Sequence, residues 1–192
     1  MFIYYIICQT FSIPILFIKL QQFVRIISED YHTNYWGDYM KNKLNYIVFI
    51  SVSVLTGLFS ALLTRNNMNI YDTINTPPLS PPGFLFPFVW TILYILMGVS
   101  AARVYTANKN KWSVSLTVWS IQLAVNFFWS ILFFNFQAFL LSFIWLVLLL
   151  ILIMTMIILF YKADKTAGLI QIPYFLWVTF AGYLNFAIYL LN

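Results

Sequence analysis

Long apolar stretches alternate along this chain with short segments that carry the charges. Beyond residue 43 the charge-free windows are 44–64, 73–102, 112–161 and 166–192. An ionised side chain at mid-bilayer costs at least ~2.5–3.5 kcal/mol, so charges mark where membrane helices stop. A helix crossing the ~30 Å hydrocarbon layer needs about 20 residues. The first and last windows each fit one crossing. The second opens on the proline-rich TPPLSPPG and then leaves room for one helix. The third is too long for one crossing and suits two, turning at Asn135-Phe136-Gln137. The pattern predicts an all-α, polytopic membrane bundle of five helices, at about 44–64, 82–105, 113–134, 138–161 and 168–190.

Composition agrees with this reading and excludes others. Of 192 residues, 62% are hydrophobic and only 8% charged, too few to clothe a water-soluble surface. Ten Lys/Arg against five Asp/Glu give a net charge of +5, but the basic residues are spread over short loops. A nucleic-acid surface would need them clustered, so no nucleic-acid partner is expected. Lys41, Lys43, Arg103, Lys109, Lys111, Lys162 and Lys165 fall on one side of the five-helix scheme, and Arg65 alone on the other. By the positive-inside rule the bundle starts inside and ends outside. A single cysteine, Cys8, and a single histidine, His32, provide no disulfide framework and no ordinary metal site, so no metal is expected.

Residues 1–40 form a separate N-terminal extension, with the membrane domain at 41–192. The segment MFIYYIICQTFSIPILFI (1–18) is apolar enough for an extra helix, yet Gln9, Thr10, Ser12 and Pro14 interrupt it. It lacks the basic start and small-residue cleavage site of a signal peptide. Met40-Lys41-Asn42-Lys43 reads as a natural beginning for a membrane protein, so the extension is either a further helix or a peripheral segment.

Three helices carry polar and aromatic residues at helical spacing. On the second, Trp90 and Tyr94 precede Met97-Gly98 on one face, with Pro87 expected to loosen the helix just upstream. On the third, Gln122, Asn126 and Trp129 share a face, and amides inside lipid seek partners in the bundle or a ligand. On the fifth, Trp177, Ala181 and Asn185 form a stripe, with Ala181-Gly182 leaving room for a close helix or a ligand. The fourth helix has no polar stripe and is expected to be lipid-facing scaffold, Trp145 included. Small residues Gly57, Gly98 and Ala101-Ala102 suit close packing, either within the bundle or between two copies.

PPLSPPGFLFPFVWTILYILMG (77–98), QLAVNFFWSILFF (122–134) and IPYFLWVTFAGYLN (172–185) resemble the signatures of the TspO/MBR family, the tryptophan-rich sensory proteins, which include the mitochondrial translocator protein. The resemblance spans about 41–192 and implies a five-helix bundle that binds porphyrin or haem-type tetrapyrroles as ligands, with no tightly bound cofactor. With the three stripes it places the pocket in the upper part of the bundle, between the first, second, third and fifth helices. It places ligand-binding residues at Trp90, Tyr94, Gln122, Asn126, Trp129, Trp177, Ala181 and Asn185. It also implies a lid over the pocket, formed by the first loop with Pro77, Pro78, Leu79, Pro81 and Pro82. Leu79 stands where many relatives carry a tryptophan. The cholesterol-recognition pattern of mitochondrial relatives is missing, because Tyr189 is followed only by Leu190, Leu191 and Asn192. The resemblance further implies a homodimer in a bacterial plasma membrane. Two other activities stay open at this point. One is light-dependent porphyrin breakdown with Trp90 and Trp177 as electron donors, and the other is passive transport of apolar molecules. No nucleophile–base pair is legible, and no span carries the charge that ion-coupled transport needs.

Overall fold

A computed structural model describes residues 40, 42–109 and 111–192. The expectations for 1–39 lie outside the described residues. Among those described, five helices are long and apolar enough to cross a membrane. Helix α1 covers 42–64 and passes into a 3-10 segment, Arg65–Asp72. It is followed by α2 (Leu85–Ala107), α3 (Val114–Ser130) and α4 (Phe139–Ala163). The last crossing has two parts, α5 (Lys165–Ile170) and α6 (Ile172–Leu191).

The departures from expectation have local causes. Helix α2 begins at Leu85 and not at residue 82, because Pro81-Pro82 lead into a turn in which the Leu85 N–H donates to the Pro82 carbonyl at 2.9 Å. Pro87 therefore lies in the first turn, where its missing N–H interrupts nothing, and the loosening expected there does not occur. Trp90, expected at mid-helix, stands in the second turn. Helix α3 ends in a π-turn, Ile131–Asn135, where the Phe136 N–H reaches back to the Ile131 carbonyl at 3.1 Å. Gln137 then takes a left-handed φ of 52° and turns the chain into α4. The single helix expected over 168–190 breaks at Gln171, next to Pro173, which cannot continue the ladder.

Helix α4 needs a correction. One stripe of it, Leu146, Leu149, Ile153, Met156 and Phe160, is completely buried, packed against α3, α5 and α6. Trp145 is half-buried, and its Nε1 donates to the Val125 carbonyl of α3 at 2.7 Å. The helix is the scaffold's spine, and only its outer face is left for lipid.

Close packing concentrates toward the end of the bundle that carries the basic loops. A Cβ on Gly98 would sit 2.4 Å from Ile50 Cα, so α1 and α2 touch backbone to backbone there. Ala101 and Ala102 are fully buried beside it. The small residues are thus used inside the bundle. The Ser100 hydroxyl donates to the Ala167 carbonyl. Arg103 forms a bidentate pair with Asp164, the closest contact 2.8 Å. Asp164 also caps α5 by accepting from the Ala167 N–H at 2.8 Å. Burial pushes the Asp164 carboxyl up, but the Ala167 N–H and the neighbouring Arg103 outweigh it and hold the group below the usual carboxylate range.

Candidate functional site

The opposite end of the bundle is built around a chamber of about 320 Å³. Its walls come from α1, α2, α3 with the π-turn, and α6. Of the residues singled out in the sequence, Trp90, Tyr94, Asn126, Trp129, Ala181 and Asn185 line it. Trp90 is central: its ring lies 5.7 Å from Tyr94, 6.1 Å from Trp129 and 6.3 Å from Tyr174. Such near-contacts between offset rings hold each aromatic in place, each pair worth ~0.5–1.5 kcal/mol beyond burial.

The amides divide into glue and free chemistry. Asn185, in the amide orientation that satisfies both neighbours, donates to the Phe139 carbonyl at 2.8 Å and accepts from Trp129 Nε1 at 3.2 Å. It ties α6 to the start of α4 and fixes the Trp129 indole. Gln122, one turn below Asn126, does not line the chamber. It is fully buried, accepts from the Tyr174 hydroxyl at 2.9 Å and points its Nε2 at Met97 Sδ, 3.7 Å away. Its part is to join α3, α6 and α2 beneath the chamber. Asn126 is 1% exposed and lines the chamber; its Nδ2 makes no hydrogen bond of good geometry and has the Tyr174 hydroxyl as a polar neighbour. An unpaired buried donor costs ~1–3 kcal/mol, and of the chamber amides Asn126, unlike Asn185, is the one whose donor is not fully satisfied.

Two further expectations are corrected by geometry. Trp177 does not share the chamber with Trp90, because Phe86 stands between: its ring lines the chamber and meets Trp177 edge-on at 6.0 Å. The proline-rich turn does not reach the chamber. None of Pro77, Pro78, Leu79, Pro81 and Pro82 lines the chamber, whereas Met68 and Gly83, on either side of that stretch, do. The loop is fastened to α6 instead. Asn75 exchanges hydrogen bonds with Asn192 at 3.0 Å, and the Tyr183 hydroxyl donates to the Pro78 carbonyl at 3.2 Å. Tyr183 lies on the exposed flank of α6, so the turn follows that flank. At its tip, Leu79 occupies a left-handed φ of 73° and is 81% exposed.

The sequence reading places the first helix at the pocket but names no ligand-binding residue on it. Gly57, Ser60, Ala61, Thr64 and Met68 all face the chamber, spaced so as to share one helix face. That run of small and hydroxylated positions was the available signal. Ser60 donates to the Phe127 carbonyl at 3.3 Å, bringing α1 against α3, and Gly57 admits the Tyr94 ring, which a Cβ would meet at 2.3 Å. Phe133 and Phe134 were also missed. The π-turn widens the helix so that both neighbours reach the chamber. At Gly182 an added Cβ would meet nothing within 4 Å, so the Ala181-Gly182 pair leaves space there and serves no tight helix contact.

Fold and site together define a multi-pass membrane protein whose helices enclose an aromatic, sparsely polar chamber. The family model described as "TspO/MBR family" matches residues 49–191. The chain is similar to Tryptophan-rich protein TspO of Chlorobaculum tepidum, 43% identical over 124 residues, or 64% of this chain and 78% of that one. It is 42% identical to Protein CrtK of Rhodobacter capsulatus, with the same coverage of 64% and 78%. It is also 36% identical to Tryptophan-rich protein TspO of Archaeoglobus fulgidus over 155 residues, 79% of this chain and 99% of the relative. The chain belongs to the TspO/MBR family.

Proposed function

We propose that this membrane protein binds porphyrin or haem-type tetrapyrroles in the chamber, for sensing, translocation or clearance. The observation that carries the reading is the incompletely satisfied Asn126 Nδ2 in a chamber wall that also holds the tilted rings of Trp90 and Trp129. A flat apolar macrocycle presents a π face to the indoles and an acceptor to the amide, the combination of large apolar contact and few polar anchors that orients small ligands. The chamber lies near the lower end of the ~300–1,000 Å³ range of ligand pockets. A tetrapyrrole inserts one edge of its macrocycle into this space, with a ring nitrogen or a carboxylate as the acceptor for Asn126. The lining residues include no histidine and no cysteine, so the reading rests on the macrocycle, metal-free or metallated alike.

Orientation follows from the basic loops: that end lies inside the cell and the chamber opens toward the outer face, in a bacterial plasma membrane. The test is a titration of metal-free protoporphyrin into the full chain in lipid nanodiscs, followed by tryptophan fluorescence. One saturable site that weakens about tenfold in Trp90→Ala supports the reading, and unchanged affinity in that variant refutes it. A second reading is light-dependent breakdown of the porphyrin by dissolved dioxygen: the Trp90–Trp129–Tyr174 cluster gives an electron to the photoexcited macrocycle, and dioxygen is the oxidant that is reduced as the ring is oxidised. Loss of the porphyrin absorption band under illumination, abolished by Trp90→Phe, separates a catalyst from a binder.

A further inference from the structure

The Phe86 side chain lies between two hollows. Its ring lines the chamber and packs edge-on against Trp177. Trp177 in turn walls a second hollow of about 400 Å³ on the outer surface between α2 and α6. Ile92 and Leu176, 43% and 61% exposed, stand on its lipid-facing rim. The wall is apolar, and Trp177 Nε1, buried without a hydrogen-bond partner, is reached from the groove only when the indole turns. Acyl chains fill such a groove but bring no acceptor, so they leave that donor unsatisfied in hydrocarbon. An occupant that resolves this is flat enough to lie on the Trp177 and Phe180 rings and carries a carbonyl, carboxylate or imine nitrogen.

We propose that the α2–α6 groove is an entry site that takes the chamber's own ligand class, a flat lipophilic ring bearing a hydrogen-bond acceptor, directly from the bilayer. Displacement of Phe86 then admits the ligand to the chamber. The continuity of groove, Trp177, Phe86 and chamber identifies the occupant, and the inference rests on the chamber reading above.

The test uses the full chain in nanodiscs with ¹⁵N-labelled tryptophan and metal-free protoporphyrin as the probe. The Trp177 Nε1–H resonance is assigned by its loss in Trp177→Phe. Ala61→Phe fills the chamber from α1, with Ala181→Leu as the substitute if that variant does not fold. Leu176→Trp fills the groove from the lipid side. The expected result is that protoporphyrin still moves the Trp177 resonance when the chamber is filled. Leu176→Trp should slow association about tenfold while leaving affinity within about twofold of wild type, because only the route is obstructed. A resonance that no longer moves in the filled-chamber variant, or an association rate in Leu176→Trp equal to wild type, overturns the entry site and leaves the chamber reading intact. Conversely, filling the chamber without weakening saturable binding refutes the chamber reading, while a moving Trp177 resonance still supports the groove as a binding site.

Discussion

The two ends of this bundle are made from the same five spans and are built differently. At the basic end, Gly98 lets α1 and α2 meet at backbone distance, Ser100 ties α2 to α5, and the Arg103–Asp164 pair closes the corner after α4. At the other end, the 3-10 segment after α1, the π-turn after α3 and the late start of α2 hold the helices apart around the chamber. Regular helices that pack through small residues leave no room for a ligand. Interrupted ones do, provided that the opposite end is rigid enough to carry the assembly. The buried stripe of α4 supplies that rigidity along the whole length.

The contrast can be broken most forcefully at its tight end. Gly98→Val places carbon against the Ile50 backbone, which cannot yield as a flexible side chain would. Overpacking of this kind costs ~1–3 kcal/mol, occasionally more, and backbone contact puts this case at the upper end. Thermal unfolding in detergent is expected to show a larger loss of midpoint for Gly98→Val than for any substitution at Gln122, Asn126, Asp164 or Leu79. A wild-type midpoint would deny the backbone contact.

Next in size is a paired comparison on α3. Gln122→Leu leaves the Tyr174 hydroxyl without its acceptor, a loss of ~1–3 kcal/mol. Asn126→Leu removes a side chain whose Nδ2 makes no hydrogen bond of good geometry, so stability is expected to hold or rise. Equal destabilisation by both, measured by the same unfolding assay, would show that the two amides share one structural role.

A smaller effect concerns acid. Because Asp164 is held below the ordinary aspartate pKa of about 3.9, its contribution is present above that value and fades as pH falls through the depressed folded-state pKa. Partial exposure of both partners limits the pair to about 1 kcal/mol at most. The unfolding midpoint of the wild type should therefore fall more steeply with acid than that of Asp164→Asn, and parallel curves would contradict the assignment.

The smallest change is expected at Leu79→Gly. Relief of the left-handed backbone favours the variant by ~1–2 kcal/mol. The added freedom of the unfolded chain opposes it by ~0.5–1 kcal/mol. A net gain of about 0.5 kcal/mol is the expected outcome. A clear loss would mean that Leu79 makes contacts that its exposure does not reveal.

Much of the fold was legible because charge is so costly in lipid. Helix ends at 64, 107 and 163 fall close to Arg65, Lys109 and the Lys162–Lys165 corner. What the charges do not encode is how helices are interrupted. The π-turn rests on backbone bonds from Phe136 and Ala138, and the shift in the start of α2 on a turn of prolines. The stripes on α2, α3 and α6 were legible at helical spacing, and Trp90, Asn126 and Asn185 follow that spacing into the chamber. Gln122 lies on the same stripe one turn too deep. Trp177 is one turn before Ala181 on the same stripe, but the Phe86 ring from α2 stands between it and the chamber, which the stripe alone does not reveal. Small residues speak for themselves only when their neighbours are known, which is why the first helix was expected at the pocket but its lining residues were not named.

The central claim is that Asn126 is kept for a ligand and not for the fold. The most direct measurement is protoporphyrin affinity in nanodiscs for wild type and Asn126→Leu, alongside their unfolding midpoints. The account predicts affinity about tenfold weaker in the variant, the loss of one buried hydrogen bond, with the midpoint undiminished. Wild-type affinity in Asn126→Leu, or a fall in stability that accounts for the lost binding, would contradict it.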